Sequence, residues 1–152
     1  VLVEPDVESC LKVGSKLYFD ISGTISHGSS AATNADGKLS YISDHEKKAW
    51  LGKSNVTAPL NAMMGVFLGE GDPSLQVAPP ALSFATAEER NYSVLNPLVG
   101  QIFFIGDVKD SNGNYQKIVV PQGAKRLYLG IMDAYEWNNN SGQLIGGLLV
   151  EE

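Results

Sequence analysis

At 152 residues, with 43% hydrophobic and 18% charged, the chain can bury the core of one domain and does not have a disordered composition. A net charge of −6 with only 11 Lys and Arg excludes the basic face that nucleic acid or an anionic membrane needs; the longest basic runs are Lys47-Lys48 and Lys125-Arg126. There is no apolar run of about 18 residues to span a bilayer. The single Cys10 excludes an intrachain disulfide and a multi-cysteine zinc site.

The chain opens on Val1 with acidic residues close behind, so its natural start is expected to lie upstream. Lys16 to Ser26 alternates Leu17, Phe19 and Ile21 with Tyr18, Asp20 and Ser22, the period of a half-buried strand. Ala58 to Leu68 is nearly all apolar from Ala62 on, and periodicity leaves strand and short buried helix equally open. Gly71 to Pro80 reads as a loop, and Ala85 to Arg90 as a helical turn.

Gln101 to Ile105 and Tyr115 to Val120 read as strands, and the Asn112-Gly113 pair between them is the strongest hairpin signal in the chain. Asp110-Ser-Asn112-Gly-Asn114 lacks the sixth-position Gly and twelfth-position Glu of an EF-hand. In Lys125 to Asp133, Leu127, Leu129 and Ile131 share a face opposite Arg126, Tyr128 and Met132, and Leu144 to Val150 forms the last strand. Short strands separated by turn residues, with no internal repeat or long linker, predict one all-β domain over residues 1–152, a two-sheet antiparallel β-sandwich.

Chemistry concentrates in Asp133-Ala-Tyr135-Glu136-Trp137-Asn138-Asn139-Asn140-Ser141-Gly142, read as an exposed loop between two strands. Calcium takes six to eight oxygens from carboxylates, amides and backbone carbonyls, and a tight Asp/Asn loop supplies several of them. Zinc prefers Cys and His. Asn-rich turns also form for purely conformational reasons, so a plain turn stays open beside the metal site. Trp137 fits either a sugar's apolar face or a place under the sandwich edge.

The stretch Val119-Val-Pro121-Gln-Gly123-Ala-Lys-Arg-Leu127-Tyr-Leu129-Gly-Ile-Met-Asp133, with Asn139-Asn140-Ser141-Gly142, resembles the LecA-type calcium-dependent galactose-binding lectins and related domains of bacterial PEP-CTERM exported proteins. Val13 to Gly28 resembles that family's strand leading into its first binding loop, and Gln101 to Gly106 resembles the exported relatives. The likeness implies a jelly-roll, galactose-binding-like sandwich with one calcium ion between two loops. It implies Asp133, Asn139, Asn140 and the His27 carbonyl as metal ligands, with a further carbonyl from Tyr135, Glu136 or Trp137; Glu136 is taken as that ligand. It places His27, Asp36, Asp133, Trp137 and Asn139 at the sugar. The spacing from Asp133 to Asn139 is one residue shorter than in the galactose lectins.

The expected function is therefore calcium-dependent binding of galactose-type glycans by a secreted or cell-surface bacterial domain, without catalysis or membrane insertion. Self-association or a place in a larger protein would serve it. Two other classes stand beside it: a calcium-stabilised structural or adhesive domain, and a hydrolase built on His27 or His45. For the hydrolase there is no Gly-x-Ser-x-Gly elbow, His-Glu-x-x-His or Gly-rich phosphate loop.

Overall fold

A computed structural model describes residues 11–44, 47–133 and 137–152. Among the described residues ten strands follow one another: β1 (Lys16–His27), β2 (Lys38–Ser43), β3 (Val56–Leu60), β4 (Met63–Leu68), β5 (Leu82–Ser83), β6 (Val94–Leu95), β7 (Ile102–Phe104), β8 (Lys117–Val119), β9 (Arg126–Ile131) and β10 (Asn140–Glu151). One helical turn, α1 (Ala87–Arg90), lies between β5 and β6. The domain is all-β, as its alternating segments predict. Among the described residues no helix is long and apolar enough to cross a membrane.

The strands form sheets ordered β10-β1-β8-β6, β7-β4-β9 and β2-β3-β5 around a common core, as in a β-sandwich. Alternation decides which faces meet. Leu17 and Phe19 of β1 turn inward with Ile118 of β8, while Phe67, Phe103 and Leu127 come from the second sheet and Val56 and Ala58 from the third. Each large apolar side chain taken fully from water contributes about 1.5–3 kcal/mol. Gly65 makes room for the Phe103 ring, since a Cβ there would sit 2.5 Å from it.

Three details depart from the sequence reading. Two ladders, β3–β5 and β6–β8, are parallel, so the sheets are not purely antiparallel. The Asn112-Gly113 turn forms, with Gly113 at φ +81°, but it closes only a Lys109–Tyr115 bridge. β7 pairs with β4 and β8 with β1, so the flanking strands belong to different sheets. The apolar run Ala58–Leu68 is neither one strand nor a helix. It is two strands joined at Asn61, whose left-handed φ of +67° turns the chain from the third sheet into the second.

The longest pairing is β1 with β10, in continuous antiparallel register from Lys16↔Glu151 to His27↔Asn140. Its lower half covers the core and its upper half is largely exposed. Gly23 (φ +102°) and Gly142 (φ +95°) sit in this upper half, where a Cβ would lie 2.3 Å from the Gln143 carbonyl oxygen and 2.4 Å from that of Thr24. Only glycine allows the two strands to coil together so closely there. The ribbon thereby brings the end of β1 and the start of β10 to one place, His27 beside Asn140.

Candidate functional site

Three elements converge at that place. β10 begins at Asn140, so Asn140-Ser141-Gly142 belong to a strand and not, as the sequence reading had it, to a loop. Asn140 is thus fixed by the ladder. Its Nδ2 donates to Asp133 Oδ2 at 3.1 Å, and its backbone N–H closes a turn on the Trp137 carbonyl at 3.2 Å. Its Oδ1 is buried and has no hydrogen-bond partner among the described residues. A buried acceptor left unmade costs about 1–3 kcal/mol, which makes it a place to look for a missing ligand.

His27 faces Asn140 across the ladder, and the bond from Gly28 N–H to the Asn139 carbonyl, 2.8 Å, marks the close, non-hydrogen-bonded kind of pair. The His27 carbonyl therefore points away from β10, where it accepts the Ser30 N–H at 3.0 Å. A carbonyl oxygen has two lone pairs, so one remains for a further partner. The ring Nε2 lies 3.3 Å from Ser30 Oγ, and the buried Nδ1 has no partner among the described residues. Beside this pair, the Ser26 and Ser141 hydroxyls meet at 2.8 Å.

Asp133 follows β9 and is placed through its neighbour. Met132 N–H donates to the Ala62 carbonyl at 2.8 Å, and its carbonyl accepts the Asn61 N–H at 2.8 Å. The β3–β4 corner thus grips the chain one residue before Asp133. Asn139 is exposed. Trp137 is 63% exposed, and its Nε1–H donates to the Ile131 carbonyl at 3.1 Å. Its ring rests on Gly130, so it lies along the open edge of β9 and is not tucked beneath the sandwich. Trp137 and Asn140 also line a shared apolar groove between β9 and the β1–β10 ribbon, with Leu129 and Leu144 among its walls.

The structure thus gathers His27, Asp133, Asn139, Asn140 and Trp137. Glu136, with Tyr135 and His45, lies outside the described residues. Asp36 is turned elsewhere: its Oδ1 accepts the Asp107 N–H at 2.8 Å, at the end of the β7 segment. Sequence reasoning passed over Ser30 and Asn61. Asn61 is fully buried with both amide atoms unpartnered among the described residues, and a single polar residue inside an apolar run was its available signal.

Among the described residues no three of His, Cys, Asp and Glu group together as a metal centre. A cation here would rest on one carboxylate with amide and carbonyl oxygens, a hard-donor set that suits calcium rather than zinc. The fold defines an all-β domain with an oxygen-rich site at one end of its longest ribbon. Compared with protein-family models, curated proteins and solved structures, the chain matches none.

Proposed function

We propose that this domain binds carbohydrate through a calcium ion held at the His27–Asn140 end of the ribbon. The observation that carries the reading is the Asp133–Asn140 pair with its buried Asn140 Oδ1, which has no partner among the described residues. Asp133, Asn139, Asn140 and the His27 carbonyl would hold the ion, and the Asn140 amide would turn its oxygen towards it. The ion would supply coordination positions that exchange water for two vicinal sugar hydroxyls. Exposed Trp137 beside Asn140 offers a face for the sugar's C–H surface.

Galactose-containing glycans are the ligand class, and the site belongs to a non-catalytic domain working outside the cell. The test is a glycan array probed in calcium and in EDTA, with wild type and Asn139→Ala. Binding is expected in calcium alone and is expected to weaken in the variant. Binding that survives both chelation and the substitution places the sugar elsewhere on the protein. Calcium binding without any glycan leaves an ion that only pins two loops.

A further inference from the structure

Asp36 lies near the end of the segment 28–37, which leaves the site directly after His27. Near the site this segment is held by Gly28 N–H to the Asn139 carbonyl at 2.8 Å and by paired Ile25–Thr33 backbone bonds of 2.9 and 2.8 Å. At its far end the Ala35 carbonyl accepts the Met63 N–H at 2.7 Å, and Gly37 (φ +77°) lies so close to the β3–β4 corner that a Cβ would be 2.5 Å from Leu60 O and Ala62 N.

Met63 is a junction. Its carbonyl accepts the N–H groups of Ile105 at 2.9 Å and Gly106 at 3.3 Å, and in the ladder it faces Ile131, two residues before Asp133. Asp36 and Asp107 each follow a segment bonded to Met63, and the Asp36 carboxylate closes the ring between them at 2.8 Å. Gly106 (φ +63°) admits that carboxylate, since a Cβ there would lie 2.5 Å from Asp36 Oδ1. The same corner, through Asn61 and Ala62, grips Met132 beside Asp133. Both arms of the candidate site, the His27 arm and the Asp133 arm, are therefore anchored to one corner that Asp36 locks.

We propose that Asp36 is a positioning residue for the candidate site: it touches no ligand, and it holds segment 28–37, and with it the His27 carbonyl, in register with Asn139 and Asn140. The inference rests on the calcium reading only for its consequence in affinity. Burial, with Asp107's charge adding, holds the Asp36 carboxyl above its ordinary range, so the group is kept where solvation alone would not keep it.

The test compares wild type, Asp36→Ala and Asp36→Asn, the last of which keeps an oxygen for the Asp107 N–H. Amide hydrogen exchange without calcium is the first readout. Exchange in Asp36→Ala should quicken about tenfold at Gly28 and Ser30 as well as at Asp107, and Asp36→Asn should return it to within about twofold of wild type. Calcium titration by calorimetry is the second readout, with the dissociation constant raised about tenfold in Asp36→Ala and restored in Asp36→Asn. A role confined to general stability would lower the melting temperature with Gly28 and Ser30 exchange unchanged relative to the rest of the ribbon, and that overturns the proposal. If wild type takes up no calcium, the metal reading fails, and the exchange at Gly28 still decides the positioning role.

Discussion

Asn61 is the residue at which backbone and side chain make opposite demands. The left-handed turn from β3 to β4 suits Asn, whereas a residue with an ordinary Cβ costs about 1–2 kcal/mol there. Its buried amide, with neither atom partnered among the described residues, pulls the other way by about 1–3 kcal/mol. Glycine satisfies the backbone and removes the amide; alanine removes the amide and keeps the strain. Asn61→Gly is therefore expected to be more stable than Asn61→Ala by about 1 kcal/mol in urea unfolding. Equal midpoints with equal slopes would mean that the corner does not depend on the left-handed backbone.

At the scale of elements, what was legible in the sequence is what alternates. Leu17, Phe19 and Ile21 announced β1, and Leu127, Leu129 and Ile131 announced β9. β2 escaped notice because four of its six residues, Leu39 and Tyr41 among them, are exposed, so no buried face imposes a period on it. The hairpin expectation placed the turn correctly and the pairing wrongly, because a turn fixes only local direction, while β7 and β8 find their partners in β4 and β1. The site follows the same division. Asp133, Asn139 and Asn140 are close in sequence and their neighbourhood was readable, whereas the turning of Asp36 towards Asp107 is set by a segment far along the chain.

The foot of the ribbon carries its own prediction. Glu151 of β10 accepts from Lys16 of β1 at 3.1 Å and from Lys117 of β8, tying three adjacent strands. The bond from Lys117 first, and that from Lys16 next, hold its carboxyl below the ordinary Glu range. A carboxylate with a lowered folded pKa contributes stability that is present above its unfolded value, about 4.5, and is lost as pH falls through the folded value. The melting-temperature gap between wild type and Glu151→Gln should be small, because the side chain is only half-buried and solvent screens the pair, widest near neutral pH, and closing below about pH 4.5. A gap that stays constant from pH 7 to pH 3 would show that the clamp carries no charge-dependent stability.

For the whole molecule, the decisive feature is that the site joins the first described strand to the last. His27 ends β1 and Asn140 begins β10, and the intervening chain folds through all three sheets before the two meet. An ion bound at that meeting point interacts with an arrangement that the unfolded chain does not hold. Its binding free energy is then read out in global unfolding as RT ln(1 + [L]/Kd), about 2.7 kcal/mol at a hundredfold excess over Kd. Calcium is therefore expected to raise the melting temperature progressively with concentration, and magnesium, which demands tighter octahedral geometry, to raise it less. Asp133→Ala removes the single carboxylate of the described donor set and should abolish the calcium shift. The ion-free protein should also lose some stability, because Asp133 accepts the Asn140 Nδ2–H, so the calcium-dependent shift and not the melting temperature itself is the readout. Thermal unfolding in EDTA and in a calcium series checks both statements. Coincident curves for wild type in the two conditions would reduce the Asp133–Asn140 pair to a hydrogen bond that closes a turn.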